Sequence, residues 1–426
     1  MLTLKQIKED KEKLIQGLKK RNWSDDELHI IDDILEVDKT RRASQTELDQ
    51  NLAQVNSISK EIGLLFKQGK REEAEKLRGK VISFREKIKE LEEQSRESIS
   101  ALDQLLLNVP NTPHELVPGG NTDEDNQIVK NWDKGFPDLG DNPLAHWDLA
   151  EKYKLIDFKL GVKLTGSGFP VFRGKGAKLE RALIWFFLDE AIKAGYEEFI
   201  PPLMVNADSA RATGQLPDKE GQMYHITEDN FYMIPTAEVP VTNIYRNSIL
   251  KETDFPIKLT AYSPCFRREA GSYGSDVKGL NRVHQFDKVE IVQMAHPDKS
   301  YEILDEMLDH VEGLLKKLEL PYRILRLCGG DLGFTSALTY DFEVYSAAQK
   351  RWLEVSSVSN FETYQSNRLK LRFKGQDGKM KLAHTLNGSA LALARIVAAI
   401  LENNQTADGI KIPEALIPLT GFSIIN

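Results

Sequence analysis

Apolar positions recur every three or four residues across residues 27–107, without a proline, which is the spacing of helix rather than strand. From Ala74 onward the steps alternate: Ala74, Leu77, Val81, Phe84, Ile88, Leu91, Ser95, Ser98, Leu102 and Leu105 fall on one line, and eight of these ten are apolar. That repeat is the seam of a coiled coil. Upstream, Leu48, Leu52, Val55, Ser59, Ile62 and Phe66 keep the same rhythm. Between the two runs lies "KQGKREEAE", where Gly69 can end a helix. The pattern predicts a long antiparallel helical hairpin with its tip near residue 70, each helix about 60 Å long.

"NVPNTPHELVPGG", residues 108–120, stops this pattern with three prolines and two glycines. The expected organisation is a helical arm over 1–108, a Pro/Gly linker over 109–120 and a body over 121–426. In the body, "KLERALIWFFLDEAIKAG" reads as an amphipathic helix ending at Gly195, and "SYEILDEMLDHVEGLLKKLEL" as another. "VHQFDKVEIVQM" and "RWLEVSSVSNF" read as strands. Strands arrive in hairpin-like pairs rather than in strict βαβ alternation. The predicted class is therefore α+β, a largely antiparallel sheet flanked by helices.

Composition narrows the function without naming it. The chain is 41% hydrophobic and 29% charged, ordinary for a globular protein, and no apolar run approaches the ~20 residues of a membrane span. The N-terminus has no secretory pattern, and Cys265 and Cys328 are the two cysteines; a cytoplasmic protein without zinc or disulfides is expected. A net charge of −8 argues against bulk nucleic-acid binding but leaves room for a local basic patch. One exists at the predicted hairpin tip, where Lys60, Lys67, Lys70, Arg71, Lys76, Arg78 and Lys80 outnumber four glutamates. Such runs are more often simply solvated.

Four clusters could carry chemistry. In "CFRREAGSYG" a strand would put Arg267 and Glu269 on one face and Arg268 on the other, followed by a loop holding Gly271, Gly274 and Gly279. A returning strand carries Arg282, His284, Phe286, Lys288 and Glu290 on one face; the assembly is either a phosphate-reading fork beside an aromatic platform or a solvated set of ion pairs. In "MIPTAEVPV", Thr236 and Glu238 are bracketed by Pro235 and Pro240 and suit a ligand ammonium, or simply a helix start. After Asn387-Gly388-Ser389, residues 390–401 are apolar except Arg395 and read as a buried helix. A lone charge there needs a carboxylate or an anionic ligand, about 9 Å from Ser389 along a helix axis. In "WLEVSSVSN", Glu354 and Ser357 would suit Mg2+, but strict alternation separates their faces, so joint use requires a bulge or strand end. Neither GxxxxGK[ST] nor GxGxxG occurs, so a nucleotide would be held by arginines and a sheet face.

Taken in order, these pieces resemble the class II aminoacyl-tRNA synthetases, and within them the seryl-tRNA synthetases. "GYEEFIPP" resembles motif 1, "FRREAG" with "VHQFDKVE" motif 2, and "LNGSALALAR" motif 3; "TGQLP", "PTAE" and "NVPNTPHELVP" are further seryl-type signatures. Ala390 and Ala394 stand where motif 3 often has glycine. The resemblance implies a ligase that makes seryl-adenylate from L-serine and ATP, with Mg2+, and charges tRNA(Ser), with tRNA(Sec) open as a second acceptor. Arg267 would grip the α-phosphate and the serine carboxylate. Glu269 and Phe286 would hold adenine, and Arg395 the γ-phosphate. Thr236, Ala237, Glu238, Glu290, Asn387 and Ser389 would surround serine. Arg268, Val355 and Ser356 join the ATP set, and Glu354 with Ser357 the metal set. The arm would embrace tRNA through its basic tip, and motif 1 would lie at a homodimer interface.

Two rival functions fit the same residues. A paralogue could load an amino acid onto a carrier protein, against which the basic tip speaks. A non-catalytic tRNA-binding scaffold should have lost Arg267, Glu354 or Arg395, and all three are present.

Overall fold

The computed structural model describes residues 1–219, 221–269 and 278–426. The chain divides into two compact units: Leu2–Lys19 with Trp23–Pro110, and Met1 with Lys20–Asn22 and Asn111–Asn426.

The first unit is built on two long helices, α1 (Asp25–Lys67, 43 residues) and α2 (Arg71–Leu107, 37 residues). Ser24 opens α1 with a capping box, its side chain taking the Glu27 N–H while the Glu27 carboxylate answers the Ser24 N–H. Gly69, at φ +76°, supplies the left-handed residue between the helices. The α2 seam buries Ala74, Val81, Ile88, Leu91, Ser95 and Leu102. On α1 the expected line is out of step by one residue at alternate positions. Leu48, Val55 and Ile62 face inward, but Ile58 and Leu65 are half-buried where Ser59 and Phe66 were expected, and Leu52 is exposed. A 3-4 stagger and a 4-3 stagger share every second position, and packing against α2 chooses between them.

The second unit is organised by an eight-stranded sheet. Its strands are β1 (Gln127–Asn131), β2 (Glu197–Glu198), β3 (Ile257–Phe266), β4 (Gln285–Ala295), β5 (Tyr322–Arg326), β6 (Leu338–Ser346), β7 (Arg351–Asn360) and β8 (His384–Ala392). Their order across the sheet is β1-β5-β6-β7-β8-β4-β3-β2. Neighbours are antiparallel except β2 and β3, which run parallel. The helices used below are α3 (His146–Lys152), α4 (Gly174–Lys193), α5 (Glu238–Asn243), α6 (Ser300–Lys317) and α7 (Leu393–Asn403).

Register explains why one sheet face is polar. Cross-strand partners share a face, and Thr339, Asp341 and Glu343 of β6 pair with Ser359, Ser357 and Glu354 of β7. Glu290 of β4 pairs with Ser389 of β8. The alternate residues, among them Phe342, Val344, Val358, Val289, Ile291 and Leu386, enter one apolar core with Met307 and Val311 of α6 and Ile396 and Ile400 of α7. Each such side chain contributes roughly 1.5–3 kcal/mol on burial.

Two local expectations change. Residues 390–401 are not one helix: β8 runs through Ala392 and α7 begins at Leu393. An unbroken apolar run reads alike in a central strand and in a buried helix, and periodicity does not separate them. Arg395 therefore lies in the first turn of α7, joined to Ser389 by extended backbone rather than by helix. The motif-2 strand also ends early, at Phe266, and its return begins at Gln285, so Arg282 and His284 precede it. Gly271 and Gly274 lie outside the described residues.

Candidate active site

A cavity of about 830 Å³ opens over the polar face of the sheet. A smaller one of about 160 Å³ adjoins it, and the two share Arg267, Glu269, Arg282, Lys288, Glu354 and Ser389.

One corner holds two buried carboxylates. Glu238 enters from the first turn of α5 and Glu290 from β4. Glu290 receives the Asn387 amide at 3.1 Å, the Ser389 hydroxyl at 3.5 Å and the Lys288 ammonium at 2.6 Å. Glu238 receives the Gln365 amide at 2.7 Å. Burial, and next the charge of Glu290, push the Glu238 carboxyl up to about 7. Lys288 also donates to the Thr236 hydroxyl oxygen at 2.8 Å, and that oxygen accepts the Glu238 N–H at 3.2 Å. With both lone pairs engaged, the Thr236 hydroxyl keeps its own proton to donate. The corner thus offers carboxylates for an ammonium and a hydroxyl, and Lys288 offsets part of their charge.

The next sector is cationic. Arg267 follows the end of β3, and its N–H continues the ladder to the His284 carbonyl at 2.9 Å. Its guanidinium stands 5.4 Å from the centre of the Phe286 ring, a cation–π distance. Glu269 turns into the cavity through a left-handed backbone, φ +47°, and accepts from Arg282 at 3.3 Å. Arg395 approaches from α7; its Nε donates to the Asn281 carbonyl at 2.8 Å and its Nη1 to the Glu354 carbonyl at 2.7 Å. Burial pushes this guanidinium below its ordinary pKa, against the opposing charge of Glu354. Its nearest carboxylate oxygen, on Glu354, is 3.9 Å away, so it is aimed and only loosely neutralised.

Beside it, β7 carries Glu354 and Ser357 into the larger cavity. A bulge makes this possible: Phe342 pairs with Ser356 and Glu343 with Glu354, which leaves Val355 as one extra residue. The Ser357 hydroxyl donates to Asp341 at 2.6 Å. Burial, and then the charge of Glu354, hold the Asp341 carboxyl well above the ordinary carboxylate range.

Of the predicted residues, Arg267, Glu269, Phe286, Glu354, Val355, Ser356, Ser389 and Arg395 line the smaller cavity. Thr236, Glu238, Glu290, Asn387 and Ser357 line the larger one. Arg268 is exposed and lines neither, while Ala237 is packed among Val241, Leu259 and Ala261. The seven basic residues near the arm tip are all exposed; Lys70, just before α2, meets Glu73, and Arg78 meets Glu75 on the same helix. Reading by motif passed over Asp341, Gln365, Asn281 and the bridging role of Lys288. Asp341 and Lys288 sit in alternating strands whose polar positions look solvated until register closes the sheet around them.

Residues 1–113 match the family described as "Seryl-tRNA synthetase N-terminal domain". Residues 223–404 match "tRNA synthetase class II core domain (G, H, P, S and T)". A serine–tRNA ligase of Salinibacter ruber is 50% identical over 428 residues, spanning 100% of this chain and 99% of that protein. Among solved structures, the seryl-tRNA synthetase of Pyrococcus horikoshii complexed with ATP superposes with a TM-score of 0.93 at 35% identity, covering 100% of this chain and 99% of that one. The cytoplasmic serine–tRNA ligase of Naegleria fowleri in complex with AMP gives 0.85 at 27% identity, covering 97% and 95%.

Proposed function

The chain belongs to the seryl-tRNA synthetases of class II, so it activates serine with ATP and charges tRNA, and we propose how its side chains divide that work. Arg267 neutralises the α-phosphate and the serine carboxylate together, bringing nucleophile and phosphorus into line. The carboxylate oxygen bonds to phosphorus, pyrophosphate leaves, and seryl-adenylate results. Glu269 and Phe286 hold the adenine end, and Arg395 takes the γ-phosphate. Glu238 accepts the serine ammonium, and Glu290, with Asn387 and Ser389, reads its hydroxyl. No side-chain nucleophile is required, because positioning and charge neutralisation carry transfer of this kind. The acyl group then passes to the 3′-terminal ribose of tRNA(Ser), and tRNA(Sec) is to be tried as an acceptor in the same assay.

Glu354 and Ser357, with Asp341 behind them, are the oxygen donors that would hold Mg2+. The fit rests on a carboxyl that burial and a neighbouring charge disfavour in its ionised form, which a hard divalent cation relieves. When bound, the ion supplies positive charge to the phosphates. Among the described residues no three His, Cys, Asp or Glu side chains converge on a metal position.

The observation that carries the assignment is Arg267, which faces Phe286 in the smaller cavity and also lines the larger one that contains Glu238 and Glu290. Serine-dependent ATP–pyrophosphate exchange tests it. Arg267→Ala should cut exchange on the order of a hundredfold or more; near-normal exchange removes Arg267 from the site. We further propose that the basic arm tip contacts tRNA phosphates, that the protein is a homodimer and that it works in the cytoplasm. The exposure of the basic residues supports the first, and the exposure of Ile200 in the motif-1 stretch the second. The two free, buried cysteines support the third.

A further inference from the structure

Behind the cationic sector lies a buried pair that none of these roles uses. His146, the first residue of α3, and Glu402, near the end of α7, are both fully buried. His146 Nδ1 and Glu402 Oε1 are 2.7 Å apart, and the His146 backbone N–H donates to the same oxygen at 3.0 Å. The other ring nitrogen, Nε2, accepts the Leu280 backbone N–H at 2.8 Å. A backbone N–H only donates, so the ring proton sits on Nδ1 and points at Glu402. Gln349 adds a strut, donating to Glu402 at 3.0 Å while accepting from the Asn281 amide at 2.9 Å. Ser346 donates to the second Glu402 oxygen.

The next residue along from Leu280 is the one whose carbonyl holds Arg395 Nε at 2.8 Å. Residues 395 and 402 are two helical turns apart, so α7 grips the dipeptide Leu280-Asn281 twice, directly through Arg395 and indirectly through Glu402 and His146. Gly279 fits this clamp closely: a Cβ there would lie 2.3 Å from His146 Nε2, and its φ is +66°. We propose that the His146–Glu402 pair is a positioning device that fixes the Asn281 carbonyl, and through it the direction of the Arg395 guanidinium toward the nucleotide phosphates. Neither residue touches a substrate in this scheme. The inference rests on the assignment of Arg395 to the γ-phosphate.

Two isosteres separate this role from simple packing. In His146→Gln a carboxamide oxygen can replace Nε2 as acceptor for Leu280, whereas in His146→Asn the side chain can still donate to Glu402 but leaves the Leu280 N–H unpaired. A buried unpaired donor is costly, and the expected result is a KM for ATP about tenfold higher in His146→Asn. The KM for serine should stay unchanged in the same exchange assay, and His146→Gln should recover most of the ATP value. Gly279→Ala, which drives the clamp open, should raise the ATP KM selectively as well and stands in if His146→Asn does not fold. Arg395→Ala is the control for the underlying assignment: an unchanged ATP KM there overturns the role of Arg395 itself. A raised ATP KM in Arg395→Ala, with ATP and serine values moving together in the clamp variants or not moving at all, overturns the positioning role alone.

Discussion

In the proposed role Glu238 has to be an anion to hold an ammonium, yet its surroundings resist that charge. Burial and the facing Glu290 raise its carboxyl to about 7. In the empty site it therefore keeps a proton that serine must displace as the pH falls through 7. The KM for serine should climb toward tenfold per unit below that point and level off above it, and Glu238→Gln, which cannot titrate, should flatten the profile. A serine KM independent of pH between 5.5 and 8 would remove Glu238 as the ammonium acceptor. The sign for stability is the reverse. The folded state binds this proton more tightly than the unfolded chain, so this group contributes more stability as pH drops from 7 toward the ordinary glutamate range. At this scale the sequence shows which groups carry charge but not which are enclosed. Thr236, Glu238 and Arg395 were legible because prolines or an apolar run set them off. Asp341 and Gln365 were not, because only strand register sets Asp341 against Ser357, and the Glu238 partner of Gln365 comes from a helix far along the chain.

Among the elements, the long helices show how far periodicity reaches. It predicts the existence of α1 and α2, their reversal near Gly69 and most of the α2 seam. It does not predict which stagger α1 adopts, since Leu52 and Ile58 compete as apolar neighbours of the same line and only contact with α2 decides. The same limit applies to residues 390–401, where strand and helix share an apolar code. A functional separation follows from the division into units, since the residues of the cavity all lie in the second. Excising residues 40–95 and closing the gap with a short glycine turn should leave serine-dependent exchange within about twofold while aminoacylation of tRNA(Ser) falls at least a hundredfold, given the many phosphate contacts a basic tip can make. Intact charging by that variant would assign the arm another purpose.

For the whole molecule, the eight-stranded sheet ends on β2, a two-residue parallel strand. Just beyond it Ile200 is 92% exposed, and on α4 the large side chain of Trp185 is 59% exposed. Sheet edges and bared apolar side chains are where chains join. Ile200→Glu should weaken self-association by at least tenfold, because a carboxylate buried without a partner is expensive. Light scattering across a concentration series measures this, and an unaltered dimer would put the interface elsewhere. The body's α+β class and its largely antiparallel sheet were readable from paired strand patterns, whereas the strand order was not, since it depends on contacts across the whole body.

The supernumerary Val355 carries a last consequence. Sidedness in a strand is a matter of counting, like a reading frame, and this insertion shifts the frame between Glu354 and Ser357. Trimming the chain by that one valine would leave Glu354 and Ser357 two positions apart and still on one face, whereas inserting one further residue between them would turn one of the two toward the apolar layer. Here the number of residues, as much as their kind, decides whether both oxygen-bearing side chains reach the cavity.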